Sequence, residues 1–458
     1  MKDRLLKALK RADADYCDIR FETRDATAIG QRGKEIDNVS SSKTEGGVIR
    51  ACVKGGWGTV AYDSLTDVDK RIAQACDAAR RVGVEKTELA DNNAPSEAVV
   101  RVALKNDFRS VPLNDKINLV KNYNDKLLTS GAAIETTRVH YSDLFRTIHF
   151  ASSRGKYFME ERPRVILYLV AVARSGSNVQ NAMKSFSSAR DYNVVLGRED
   201  VCATVAKRAS DLVSAPKCPG GKFTVLLDNE LAGVFVHEAF GHLSEADFLY
   251  ENPKMKELMA LGRPMGVSNL QIIDDGSMPD RIGSYAFDEE GTPSHKTYLI
   301  RDGQLAGHLH SLETAAKMKA QPTGNARTVG RSHSPIVRMS NTYIDNGNAS
   351  FDQLISGIDD GIYAKGMLGG QTMMEMFTFS AAYGYRIKKG KVCELLRDIT
   401  LTGNVFETLN AIDGIGNDLV INETGGGCGK GGQAPLPVTD SSPHLRIRDV
   451  VVGGATPQ

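Results

Sequence analysis

The stretch Val236-His237-Glu238-Ala239-Phe240-Gly241-His242 sets two imidazoles five positions apart, with a carboxylate directly after the first. Neutral imidazoles are the commonest metal ligands, and a neighbouring carboxylate can serve as a general base. The pattern is H-E-x-x-x-H, not the zincin H-E-x-x-H. On an ideal helix, side chains at i and i+4 sit ~40° apart, whereas those at i and i+5 sit ~140° apart. One regular helix would therefore point the two rings in different directions. A π-type turn inserts one residue and returns i and i+5 to a common face, and Gly241 eases that distortion. His237 and His242 could then converge on one ion while Glu238 approaches its bound water. Two satisfied helix histidines in a chain with nine would look the same, so a third ligand must come from elsewhere.

A second chemical stretch is Glu423-Thr424-Gly425-Gly426-Gly427-Cys428-Gly429-Lys430-Gly431-Gly432-Gln433. Two nucleotide readings fail on it. A Walker A loop needs Gly where Thr424 stands and Ser or Thr where Gly431 stands. Gly427, Gly429 and Gly432 match G-x-G-x-x-G, but Pro435 and Pro437 follow where a dinucleotide fold demands a helix. What remains is a cysteine on a loop stripped of side chains, just past the β-type segment Leu419 to Glu423, where another group can come close to the main chain. Its thiolate could complete a His2Cys set with an open fourth position; alone, it would read as a buried cysteine in an ordinary turn. Other candidates carry less. His308 and His310 could chelate from one strand face, but such pairs more often face solvent. His140 and His149 read as structural, and His295 follows a turn. Glu245 and Asp247 suit the orientation of an imidazole N–H, or a helix surface.

The elements that must hold these residues follow from periodicity. Leu5, Leu6, Leu9 and Ala12 fall at helical spacing; Cys17, Ile19 and Phe21 then alternate with Asp18, Arg20 and Glu22, predicting a strand with one wet face. Val48 to Tyr62 reads as a hairpin around Lys54-Gly55-Gly56, with Trp57 on its far side. Helices are predicted over Thr66 to Val82, after Pro112, and from Arg198 to Val213, with long strands over Thr137 to Ser152 and Lys156 to Ala173. Two prolines and two glycines in residues 215–221 mark a boundary. The expected organisation is an N-terminal α/β domain, residues 1–214, and a β-rich catalytic domain, residues 215–458. In the second domain Phe223 to Leu227, His295 to Arg301, Pro335 to Ile344 and Tyr383 to Lys388 read as strands, and a helix starts near Glu230. The class is α+β, with a mixed or antiparallel sheet or barrel around an embedded metal-binding helix.

Composition narrows the function. At 458 residues the chain is long enough for two or three cores, and 57 Lys plus Arg against 56 Asp plus Glu leave no field favouring nucleic acid or an anionic membrane. Val165 to Ala173, the longest apolar run, is far short of the ~20 residues that cross a bilayer. With no secretory pattern at its start, the chain reads as cytoplasmic. Its seven cysteines are scattered without a C-x-x-C pair, against a disulfide scaffold.

Four segments together resemble one family. His237 to His242 with Glu245 and Asp247, Gly283-Ser284-Tyr285-Ala286-Phe287-Asp288-Glu289-Glu290-Gly291-Thr292-Pro293, Arg338-Met339-Ser340-Asn341-Thr342-Tyr343, and Cys428-Gly429-Lys430-Gly431-Gly432-Gln433 are similar to the TldD/PmbA family, named for modulation of DNA gyrase. The likeness runs over nearly the whole chain, including the Gly-Trp-Gly around Trp57. The resemblance implies a zinc metallopeptidase of the TldD type, with His237, His242 and Cys428 as Zn2+ ligands and Glu238 as catalytic base on zinc-bound water. It also implies unfolded or extended peptide substrates and a homodimer or a heterodimer with a PmbA/TldE-like subunit; direct binding of nucleic acid is not implied, and the short apolar runs leave no membrane contact expected. Two alternatives stand beside it: a non-catalytic TldE-like partner, and a thiol hydrolase with Cys428 as nucleophile.

Overall fold

The computed structural model describes residues 1–373 and 375–453. In the N-terminal half the alternating segments become a seven-stranded sheet. Tyr16–Arg32 lies between Glu35–Val53 and Ile134–Ser152, and Tyr157–Ser175 follows, its outer edge taken by Glu97–Val100 at one end and Asn178–Ser188 at the other. Gly56–Tyr62 forms the far edge, joined to Glu35–Val53 through Lys54 and Gly55, both at positive φ as a tight hairpin turn requires. The predicted helices are present as Lys2–Leu9, Val68–Val82, Leu113–Thr129 and Glu199–Leu212. Val120, Tyr123 and Leu127 on one helix and Val205, Ala206 and Ala209 on another pack on Val165, Leu167, Leu169 and Ala171. That alternation in the strand Tyr157–Ser175 leaves Arg162, Arg164, Ile166 and Tyr168 on the opposite face.

The wet face expected for Asp18, Arg20 and Glu22 is not wet. All three are buried, because this face of the sheet docks on the C-terminal half. Arg50 reaches Asp18 at 2.5 Å and Glu290 at 3.1 Å, and Arg20 donates to the carbonyls of Gly330 and His333. Arg162 pairs with both Glu160 and Glu289 at 2.8 Å, while Glu160 accepts from the amides of Ala286 and Phe287. Phe287 stacks on Phe158, which stacks on Phe150. The Gly283 to Pro293 segment is therefore the seam between the halves. Of its acidic triplet, Glu289 and Glu290 take arginine partners more than a hundred residues away, while Asp288 accepts from the nearby amides of Glu290 and Thr292.

In the C-terminal half, Gly221–Leu227, Leu445–Gly453, Ile399–Asn404, Met376–Lys388 and Asp360–Met373 pair in that order. Asp360–Met373 also pairs with Gly221–Leu227, which closes a five-stranded barrel. A second, six-stranded sheet contains Ile272–Asp275, Asn341–Ile344, Gln433–Ser441 and Gly426–Lys430 as neighbours. The helix Asn229–Val236 packs between them, with Phe235 against Phe377 and Phe379 at 5.6 and 5.9 Å.

Two local expectations change. Pro335 to Ile344 is not one strand but two short ones, Ile336–Val337 and Asn341–Ile344. Between them the chain turns to Asp274, whose buried carboxylate accepts from Ser340 N and Oγ, Thr342 Oγ1 and Asn325 Nδ2. Leu419 to Glu423 makes no strand, only a bridge between Val420 and Ser442. The glycine-rich run itself is the strand: Gly426, Gly427 and Cys428 face Val438, Pro437 and Leu436. A Cβ on Gly427 would sit 2.7 Å from that of Pro435, so the bare backbone is what lets the two segments pair. No helix among the described residues is long and apolar enough to cross a membrane.

Removing one member of a buried ion pair leaves its partner charged and dry, at a cost of about 3–5 kcal/mol. Arg50→Met is expected to lower the unfolding free energy from urea titration by an amount in that range, with a lower midpoint, and to loosen the seam. A midpoint within error of the parent would show that Asp18 and Glu290 do not depend on it.

Candidate metal centre

The helix Asn229–Val236 begins at Asp228, whose side chain accepts from Leu231 N at 3.0 Å. It runs directly into a π turn, His237–Gly241, followed by one 3₁₀ turn, His242–Ser244. Two glycines let this distorted helix lie close to its supports. A Cβ on Gly233 would meet Ser441 N at 2.7 Å and Asp440 C at 2.8 Å, and one on Gly241 would meet Met339 Sδ at 2.0 Å. The π turn is thus set between the strands that follow Arg338 and end at Ser441.

The extra residue brings both rings to one side, with centroids 5.1 Å apart and planes at 88°. Cys428 arrives from the glycine-rich strand, its Sγ 3.3 Å from His242 Nε2. One ligand atom from each of His237, His242 and Cys428 falls within 4.8 Å of the others. Arg338 holds the cysteine's strand in place by donating to Cys428 O and Gln433 O at 2.8 and 3.2 Å.

Behind each imidazole stands a carboxylate. Glu245 Oε2 is 3.1 Å from His242 Nδ1. Asp440 Oδ1 lies 2.7 Å from His237 Nδ1, at ion-pair distance though not aligned for a hydrogen bond in this rotamer. Both carboxylates engage the Nδ1 side, which turns the Nε2 atoms toward the cluster and fixes the tautomer that can donate a lone pair there. Lys430 sits behind Glu245, donating to Asp247 Oδ1 at 2.6 Å and to Val337 O at 2.9 Å, with its ammonium 3.0 Å from Glu245 Oε2.

The electrostatics follow from that packing. Burial alone would raise the Cys428 thiol, but the His237 and His242 imidazoles pull it down to about 5. Burial disfavours charge on His242, yet hydrogen bonds to Cys428 and Glu245 lift it to about 9. His237 is likewise raised, burial being outweighed by Asp440 and Cys428. Burial pushes the Glu238 carboxyl up, with the two imidazoles opposing. Glu238 lies beside the strand Asp360–Met373: its carbonyl accepts from Thr372 Oγ1, and its Cγ is 3.4 Å from where a Cβ of Gly370 would stand. A thiolate and two oriented imidazoles whose ligand atoms lie within 4.8 Å of one another form a donor set suited to a borderline-soft divalent cation such as zinc.

The other sequence candidates lie apart. His308 and His310 are buried rather than solvent-facing, with His308 Nε2 3.0 Å from Met259 O and His310 Nδ1 3.3 Å from Thr314 Oγ1. Burial lowers both, His310 to about 4, so they are neutral packing groups. His149 Nδ1 is 2.8 Å from Tyr157 Oη, His140 packs near Tyr168, and His295 is exposed. Sequence reasoning did not find Asp440 or the role of Lys430. Neither stands at a telling spacing from the histidines; only the hairpin register places them there.

Residues 220–454 match the PmbA/TldA metallopeptidase C-terminal domain, residues 106–215 its central domain and residues 17–82 its domain 1. A Synechocystis protein named a metalloprotease is 42% identical over 444 residues, covering 97% of this chain and 96% of its own. A Saccharolobus solfataricus protein named a zinc metalloprotease TldD homolog is 28% identical over 462 residues, 98% of this chain and 100% of its own. The crystal structure of TldE from Thermococcus kodakarensis shares the fold with a TM-score of 0.75 at 19% identity, covering 99% of this chain and 100% of that one.

Because a methyl at residue 233 would collide with main chain rather than a movable side chain, Gly233→Ala is expected to destabilise by about 1–3 kcal/mol. Thermal denaturation checks this, and an unchanged midpoint would mean the helix is not pinned against Asp440 and Ser441.

Proposed function

The chain belongs to the PmbA/TldD metallopeptidase family, and on that premise we propose that it is a zinc-dependent peptidase of the TldD type acting on unfolded or extended peptides. The observation that carries the reading is the convergence of His237, His242 and Cys428 within 4.8 Å, beside Glu238. These three side chains would hold the ion. Zinc, when bound, supplies Lewis acidity that acidifies a water and polarises a carbonyl. The chain's own residues do the rest. Glu238 is the general base: its raised carboxyl pKa suits a group that accepts a proton and returns it to the leaving amine. Glu245 and Asp440 orient the imidazoles, and Lys430 keeps Glu245 charged. The barrel strand beside Glu238 offers main chain with a bare glycine at residue 370, which supports contact with an extended substrate through backbone hydrogen bonds. The reading places the chain in the cytoplasm, as a pair with itself or with a PmbA/TldE-like subunit, without binding nucleic acid.

One observation favours a second reading. A cysteine drawn down to about 5 between two histidines is also an arrangement for nucleophilic catalysis. Chelation separates the two. On the zinc reading, dialysis against a chelator abolishes cleavage of an unstructured peptide and zinc restores it; on the thiol reading, activity survives. Glu238→Gln is expected to lose cleavage by about 10²–10⁴-fold while still retaining stoichiometric zinc by elemental analysis. Full activity in that variant would remove Glu238 from the mechanism. Asp440→Asn, which weakens the support behind His237, is expected to reduce zinc affinity by about 10–100-fold in chelator competition; unaltered affinity would leave Asp440 a mere neighbour.

A further inference from the structure

A cleft of about 730 Å³ opens between the N-terminal sheet and the C-terminal half, and its charges do not balance. The sheet register makes the imbalance concrete. Arg162 pairs across with Arg146, and Arg146 with Arg24, so three guanidiniums line one row of one face. Arg164, two residues along from Arg162, joins the same face. Like charges directly opposite are destabilising unless each finds a partner. Arg162 has Glu160 and Glu289, and Arg146 has Glu22. Arg24 and Arg164 have no carboxylate or side-chain hydrogen bond among the described residues. Arg327, from the other wall, donates only to the carbonyls of Met339 and Pro437.

The cleft adjoins the metal centre. Leu436 lines it, and Leu436 is the direct cross-strand partner of Cys428, so the two side chains leave the hairpin on one face. Ile166 and Tyr168, next along the Arg164 face, hold Gly425, three residues before Cys428: Tyr168 donates to Gly425 O, and a Cβ there would touch Ile166. A half-buried cation with no partner, in a cleft built from both halves and beside a candidate catalytic centre, is a seat for an anion. Burial and the neighbouring guanidiniums of Arg146 and Arg24 pull Arg164 down to about 10.

We propose that this cleft binds a carboxylate of the peptide substrate, with Arg164 as its anchor. The inference rests on the peptidase reading and deepens it. The carboxylate can be the chain terminus or an acidic side chain. A guanidinium presents a planar fork of donors that matches either.

The test uses full-length Glu238→Gln protein and fluorescence anisotropy with three forms of one unstructured peptide. These are a free C-terminal acid, a neutral C-terminal amide, and an amide with one internal glutamate. A carboxylate-bearing form should bind at least about tenfold more tightly than the neutral amide, as a charge-assisted hydrogen bond gives. Preference for the free acid identifies the terminus as the anion; preference for the glutamate form identifies a side chain. Arg164→Gln should erase the preference and Arg164→Lys should keep part of it. Since Arg164 leaves no partner behind, the thermal midpoint of Arg164→Gln should equal or exceed that of its parent; a marked drop would assign it a structural role and overturn the proposal. Charge-blind binding, or a preference that survives Arg164→Gln, would also overturn it. Failure of all three forms to bind would instead overturn the peptide reading, and this inference with it.

Discussion

Two rings five positions apart on a helix diverge, and the cluster of His237, His242 and Cys428 exists only because they are made to converge. The π turn His237–Gly241 supplies the rotation, but an isolated π turn is a poor structure that needs support from outside. The support is close main-chain packing. Gly233 lets the helix rest on the backbone of Asp440 and Ser441, and Gly241 lets the turn accept Met339. Those contacts are possible only because the flanking strands meet, Asn341–Ile344 running parallel to Gln433–Ser441. The fold therefore imposes the helical defect rather than merely tolerating it.

The same strands deliver the charges. Cys428 and Lys430 lie on one arm of a hairpin and Asp440 on the other, so one element supplies a thiolate, the cation behind Glu245 and the anion behind His237. Burial by itself disfavours the charged forms of His237, Cys428, His242, Glu245 and Asp247. They stay polar because they are arranged as alternating signs: Asp440, His237, Cys428, His242, Glu245, Lys430 and Asp247. Such a chain is stable only when each member is present, because any gap leaves a buried charge without compensation.

This alternation explains what could be read in the sequence. His237, Glu238 and His242 are adjacent in the chain, so their spacing alone raised the need for a π turn. Cys428 stands out by its glycine surroundings, which read locally as a loop. They form a strand because Gly426 and Gly427 face Val438 and Pro437, a register that no local pattern announces. Asp440 was invisible for the same reason. The alternating Asp18, Arg20 and Glu22 suggested a solvated face, and periodicity did reveal two different faces. It could not reveal that the polar face meets an equally polar surface from beyond residue 280. Period tells which side a residue takes; only topology tells what lies on that side.

The seam between the halves also shows why unpaired charge at the cleft is informative. Where the two halves touch, Arg50 and Arg162 each have a carboxylate supplied across the interface, Glu290 and Glu289, while Arg20 is met there by the carbonyls of Gly330 and His333. The solution is local and repeated, so the sequence had means to compensate the arginines of this sheet. Arg24 and Arg164 receive no carboxylate from across the interface among the described residues; Gly330 of the other half still lies close to Arg24, and it is at Arg164 that the cleft opens. An isolated desolvated guanidinium is a burden to the folded state, and glutamine at residue 164 would relieve it. Arg164, which among the described residues has neither a carboxylate nor a carbonyl to receive its side chain, lines the cleft that opens toward the hairpin bearing Cys428, where a charge held for a ligand rather than for the fold would be expected.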